Sequence, residues 1–161
     1  MKNEQKITPF LWFNDNAEDA INFYQGIFKN AEVGGINRYP AGSPLPEGTL
    51  MTATFRLEDL SFVALNGGPH FRFNEAISFV ISTETQEETD HYWDRLTADG
   101  GQESQCGWLK DKYGVSWQVV PTLLGKLLGA PERQKAGRAM QAMMGMKKLD
   151  MQGLQDAFDG K

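Results

Sequence analysis

Apolar residues in this chain fall into short strand-like runs separated by two helical stretches, and the order of those runs repeats. Ile7 to Phe13 is a continuous apolar run with β-branched and aromatic side chains, which predicts a strand. Asn14-Asp15-Asn16 offers cap chemistry. Ala17, Ala20, Ile21, Tyr24 and Phe28 then recur at helical spacing, with Glu18 and Asp19 in the electropositive first turn, so a helix is predicted to about Phe28. Glu32 to Tyr39 reads as a strand, and Pro40 to Gly48 is too rich in Pro and Gly to be anything but loop. Thr49 to Leu57 and Leu60 to Leu65 alternate as strands around a turn at Glu58-Asp59, and Asn66-Gly67-Gly68-Pro69 closes the unit.

The same order then returns. Ala76 to Ser82 predicts a strand, Thr83 or Thr85 caps a helix to about Ala98, and Asp99-Gly100-Gly101 ends it. Two more strands follow around the hairpin Cys106 to Pro121, where Trp108 and Leu109 end one strand and Val115 to Val120 alternate along the next. Asp111 to Gly114 makes the turn, with Gly114 at a position of positive φ and Asp111 bonding local backbone. Pro121 stops the ladder. The halves align at an offset of 69 through Phe10 and Phe79, Asn16 and Thr85, Tyr24 and Trp93, and at an offset of 55 through Ser61-Phe62-Val63 and Ser116-Trp117-Gln118. The prediction is an α+β fold. It holds two βαβββ units, about 7–66 and 76–121, forming one curved, cup-like mixed sheet with helices on its back.

Beyond Pro121 the residues become helix formers, so the expected domains are 1–121 and a helical extension over 122–161. Its helices are Thr122 to Leu128, Glu132 to Met146, and a last one capped by Asp150. Five of the seven methionines lie between 140 and 151, and a methionine stripe adapts to irregular surfaces. Packing on its own subunit, clasping a second subunit and closing over the pocket all remain open.

Composition narrows the function. A net charge of −5 argues against nucleic acid, which needs clustered Lys and Arg. No stretch nears the roughly 20 apolar residues of a membrane span. No secretory leader is evident and there is a single cysteine, so a cytoplasmic location is expected.

The pattern Asp111-x-x-Gly114-x-x-x-Gln118 resembles the final hairpin of the vicinal-oxygen-chelate superfamily, the glyoxalase, bleomycin-resistance and extradiol-dioxygenase proteins. Cys106 to Asp111, Gly114 to Gln118 and Arg138 to Asp150 together are similar to its PhnB-like subgroup, labelled 3-demethylubiquinone-9 3-methyltransferase. The resemblance implies the paired βαβββ fold and a homodimer, its units paired within a chain or exchanged between chains. Superfamily enzymes take a metal ligand from the first and last strand of each unit, the last usually being glutamate. Here those positions fall on Pro9, Val63, Ser78 and Gln118, and one hydroxyl with one amide does not meet the ligand demand of a divalent cation. His70 in the crossover and His91 on the second helix do not complete a site. Cys106 has no basic neighbour before Lys110 to activate it.

No glycine pair follows a strand and opens a helix, as a methyl-donor nucleotide would require. The expectation is therefore a metal-free, cofactor-free homodimer that binds an unidentified small apolar or aromatic molecule. Its pocket is expected to comprise Trp12, Phe62, Ser78, Phe79, Trp108 and Gln118. A metal-dependent enzyme of glyoxalase or dioxygenase type is the alternative, and methyl transfer is disfavoured.

Overall fold

A computed structural model describes residues 5–161. By contacts the chain divides into two units, Met1–Phe73 and Asn74–Lys161.

In the first unit the apolar run becomes β1 (Phe10–Phe13), followed by α1 (Ala17–Gln25), β2 (Ala31–Arg38), β3 (Leu50–Leu57) and β4 (Leu60–Asn66). The strand order is β1-β4-β3-β2, with β1 parallel to β4 and the other pairs antiparallel. Asn16 stands at the start of α1, but its side chain makes no cap bond. The Ala17 N–H instead donates to Oδ1 of the buried Asn66 at 2.8 Å, and Asn66 Nδ2 donates to the Leu50 carbonyl at 3.0 Å. A residue at the end of β4 thus holds the helix start to the sheet. The buried face of α1 is Ala17, Ala20, Ile21 and Tyr24. Tyr24 stacks on Phe55 of β3, and Phe55 stacks on Phe62 of β4. The helix ends three residues before the predicted Phe28. The N–H groups of Ile27 and Phe28 both return to the Tyr24 carbonyl, so the chain tightens and turns while both side chains stay buried.

The second unit runs β5 (Phe79–Thr83), α2 (Gln86–Thr97), β6 (Gln102–Glu103), β7 (Trp108–Lys110) and β8 (Ser116–Pro121), in the equivalent order β5-β8-β7-β6. Thr85 caps α2 by accepting from the Glu88 N–H at 3.1 Å, while Glu88 accepts from the Glu84 N–H at 2.8 Å. Each unit is therefore a four-stranded, open, mixed sheet with one helix against it, giving the α+β fold of two βαβββ units.

The ladders fix how the units correspond. Thr54 pairs with Val63 and Trp108 with Gln118, so Val63 answers to Gln118, a step of 55, as the sequence indicates. Phe10 pairs with Val63 and Val80 with Gln118, so Phe10 answers to Val80, a step of 70. The helix starts at Asn16 and Thr85 keep a step of 69. One more residue thus separates β1 from α1 than separates β5 from α2. The mate of Ser78 is Thr8, not Pro9.

The extension forms α3 (Thr122–Leu128), α4 (Arg133–Met144) and α5 (Met151–Asp159) around Leu124, Leu127, Ala139, Leu149 and Leu154. It joins its own second unit through backbone. Cys106 and Gly107 donate to the carbonyls of Met146 and Lys147 at 2.7 and 2.8 Å. Gln86 of α2 donates to the Leu149 carbonyl at 3.2 Å and accepts from the Met151 N–H at 2.8 Å. Within the chain, the extension packs on its own second unit. Met143 and Met146 border this cluster, while Met140 and Met144 are exposed. Among the described residues no helix is long and apolar enough to cross a membrane.

Candidate functional site

Asp111 organises the β7–β8 hairpin. It is 3 % exposed, and its Oδ1 accepts from the N–H groups of Tyr113 and Val115 at 2.9 and 3.1 Å. Its Oδ2 accepts from the Trp117 indole at 2.9 Å. The turn chemistry anticipated for Asp111 is present, and the tie to Trp117 comes in addition. Gly114 at φ 88 closes the turn, its N–H donating to the Asp111 carbonyl at 2.9 Å.

With this turn fixed, cross-strand pairs follow by counting outward. Lys110 lies opposite Ser116, Leu109 opposite Trp117 and Trp108 opposite Gln118. Alternation then sorts the side chains. Leu109, Trp117 and Val119 are buried on the side that carries α2. Trp108, Lys110, Ser116 and Gln118 share the other, open side. Gln118 Nε2 donates to Ser78 Oγ at 2.9 Å on that same side, and Val80 beside them is 56 % exposed.

Of the six anticipated pocket residues, Ser78, Trp108 and Gln118 are thus brought together on the second unit's open face. Trp12 stands on the open side of the first sheet with Phe10. Its indole N–H donates to the Gly68 carbonyl at 3.0 Å, and its ring meets the edges of Phe71 and His70. Phe62 and Phe79 are placed differently. Phe62 is 2 % exposed and belongs to the Tyr24–Phe55–Phe62 stack beneath α1. Phe79 is the ladder partner of Trp117, their ring centroids 5.5 Å apart, which puts it on the side of α2. The period of two in a strand sends alternate residues to opposite sides, so neither can share a face with Val63 or Gln118.

The open face of the second unit also holds a group that composition and motif did not single out. A cavity of about 180 Å³ is lined by Glu75, Gln102, Glu103, Ser104, Trp108, Leu109, Lys110 and Ser116. Lys110 Nζ pairs with Glu75 at 2.5 Å, and this ammonium holds the Glu75 carboxyl below the usual carboxylate range. Ser116 is 2 % exposed, and its hydroxyl has no hydrogen-bond partner among the described residues. The one sequence signal for this cluster is the register of Lys110 against Ser116, which the hairpin turn fixes.

The donors on these faces do not fit a divalent cation. Val63 and Thr8 occupy the first unit's positions, and in the second the Gln118 amide and Ser78 hydroxyl bond each other. Among the described residues no three His, Cys, Asp or Glu side chains converge on one point. The glycine pairs do not form a nucleotide loop either. Gly34-Gly35 lies within β2, Gly67-Gly68 leads into the crossover, and Gly100-Gly101 follows α2.

Two βαβββ units with this strand order define the fold of the vicinal-oxygen-chelate superfamily. The chain belongs to the 3-demethylubiquinone-9 3-methyltransferase family, whose model matches residues 5–120. The PhnB protein of Bacillus cereus, which carries the same family designation, is 38% identical. The match covers 73% of this chain and 100% of that one with a TM-score of 0.68. A Pseudomonas aeruginosa protein at 19% identity covers 73% of this chain and 98% of its own with a TM-score of 0.60. The fosfomycin resistance protein FosX of Listeria monocytogenes, at 21% identity, covers 78% and 97% with a TM-score of 0.54. The last two show the fold alone. No curated protein matches the chain. The helices α3 to α5 lie beyond the family match, which stops at residue 120.

Proposed function

We propose that this protein is a homodimeric, metal-free binder of a small apolar or aromatic molecule, held against the open face of the second unit. The observation that carries the reading is the Gln118–Ser78 pair at 2.9 Å, standing where the superfamily's enzymes place metal-binding side chains. Two neutral groups already bonded to each other offer a ligand hydrogen bonds, not a cation-binding charge. Trp108 beside Gln118 and the exposed Val80 supply apolar surface of the kind that small-molecule sites use. Methyl transfer draws no support from the glycine pairs, none of which joins a strand to a helix start.

Titration with phenylnaphthylamine, an uncharged aromatic fluorophore, tests this reading alongside native mass spectrometry and elemental analysis of the purified protein. The expected result is one saturable site per chain, lost on Trp108→Ala, in a dimer without stoichiometric metal. A chelatable metal that carries a measurable activity, or probe binding indifferent to Trp108→Ala, refutes it.

A further inference from the structure

We infer that the small molecule bound by the second unit carries a carboxylate, which Lys110 and Ser116 hold in the place now taken by Glu75. This rests on the binding face proposed above and names the chemistry of its ligand: an aromatic carboxylic acid.

The first observation is Ser116. Buried hydroxyls are almost always paired, because water is lost on burial and nothing apolar replaces it. Ser116 Oγ is buried without a partner among the described residues, and Ser116 borders a cavity of about 180 Å³. It lies across the ladder from Lys110, which lines the same cavity and whose ammonium pairs with Glu75, another lining residue. A cation and an unpaired hydroxyl on adjoining positions of one cavity wall are what a carboxylate with two oxygens can satisfy together.

The second observation is a contrast between the units. In the first unit Arg56 lies opposite Ser61, as Lys110 lies opposite Ser116. Arg56 bonds Glu32 at 2.8 Å, and Glu32 is its ladder partner on β2, so that carboxylate is fixed by the sheet. In the second unit the ladder partner of Lys110 is Gln102. The carboxylate comes instead from Glu75, in the segment before β5, with its side chain 60 % exposed. It can leave Lys110 without breaking a ladder, and a half-exposed ion pair resists exchange only weakly. Glu75 therefore stands where a ligand carboxylate fits.

Charge and size set the class. Among the described residues Lys110 is the one cation lining the cavity, and a single carboxylate, Glu75, pairs with it, so a monoanion matches the site and a phosphate dianion leaves a charge unmatched. The cavity is smaller than the roughly 300–1,000 Å³ of a complete small-molecule site. It takes a head group, and the ring lies over Trp108 towards Gln118 and Val80.

Calorimetry on the full chain with naphthoate and its uncharged analogue naphthamide tests the assignment. Naphthoate is expected to bind about tenfold tighter than naphthamide, the worth of a charge-assisted hydrogen bond. Glu75→Gln should widen that gap by a further two- to fivefold, on the order of an exposed ion pair. Lys110→Met and Ser116→Ala should each shrink it to within about twofold, while a circular dichroism melt confirms that both variants fold. Equal affinities in the wild type, or a preference that survives Lys110→Met, overturn the carboxylate assignment and leave the binding face standing if naphthamide still depends on Trp108. A preference lost in Lys110→Met and kept in Ser116→Ala overturns the role of Ser116. If neither compound binds, nor shifts the amide resonances of Trp108 and Gln118, the face itself is refuted and the assignment falls with it.

Discussion

Replacing Asp111 tests whether one side chain sets the register on which the candidate site depends. Its carboxylate receives three N–H donors, two from backbone and one from the Trp117 indole, at 2.9, 3.1 and 2.9 Å. Asp111, Val115 and Trp117 are each no more than 3 % exposed, so water does not readily replace the lost acceptor. Leaving a buried donor unpaired costs about 1–3 kcal/mol, and hydrogen bonds to a charged group lie at the upper end. Because Tyr113 is half-buried and its N–H can be hydrated, Asp111→Ala is expected to cost about 3–5 kcal/mol rather than the full sum. Asp111→Asn keeps Oδ1 for the two backbone donors but turns an amide N–H towards the indole N–H. It should cost about 2 kcal/mol. Trp117→Phe removes the indole donor, so in a double-mutant cycle with Asp111→Asn the two losses should fall short of additivity by about 1–2 kcal/mol. Urea unfolding followed by circular dichroism reads the four variants against wild type. An Asp111→Ala variant within about 1 kcal/mol of wild type, or an additive cycle, refutes the reasoning.

Three other perturbations probe the rest of the second unit. Gly107 has φ +84, and a Cβ there would lie 2.7 Å from the Val119 carbonyl oxygen, so Gly107→Ala should cost about 3 kcal/mol in the same urea assay. Leu154 is fully buried at the centre of the helical extension, and Leu154→Ala should cost about 3 kcal/mol; a loss under about 1 kcal/mol would show that the extension is not coupled to the unit's stability. Asp90 is held below the usual carboxylate range by the Gln86 amide and then by Lys148, and Glu103 by the Trp93 indole and then by Lys147. A carboxylate with a lowered folded pKa stabilises fully above its unfolded value and loses that contribution as pH falls through the folded one. The melting temperature should therefore hold from pH 7 to about 5 and decline below about 4. The decline should be shallower in an Asp90→Asn, Glu103→Gln double variant, and equal slopes would refute the assignment.

What the sequence made legible was whatever its own period or local chemistry determines. The hairpin was readable because Asp111 and Gly114 act on residues within a few positions of themselves, and the repeat because both units need the same apolar pattern to cover one helix. β6 was not, since Gln102–Glu103 is two polar, exposed residues with no period to detect. The first-strand offset was also missed, for a physical reason. Cap chemistry aligned Asn16 with Thr85, yet α1 is anchored by Asn66, 49 residues beyond Ala17, and the ladder rather than the cap sets the register of β1. Phe62 and Phe79 entered the anticipated pocket because aromatic character was weighed ahead of parity along the strand. Counting parity from Gln118 sends Trp117 to the helix side, and both residues go with it: Phe62 as its repeat mate and Phe79 as its ladder partner.

Gln118→Glu puts the metal-free reading to its hardest test, because it restores the carboxylate that the hairpin motif leads one to expect. In the second unit the new group would lie beside the Ser78 hydroxyl and across the ladder from Trp108, and the corresponding first-unit positions are Val63, Thr8 and Thr54. One carboxylate with hydroxyl neighbours supplies a single charge. Tight divalent sites need three or more charged or imidazole ligands, and even extracellular calcium modules with several oxygens reach only about 0.1–1 mM. Binding of zinc, nickel or manganese to this variant, followed by calorimetry and by elemental analysis after dialysis, should therefore stay weaker than about 1 mM and near wild type. Affinity in the micromolar range would mean that further donors reach this position. The Gln118–Ser78 pair would then be the remnant of a metal site, and the case for a neutral binding face would be lost.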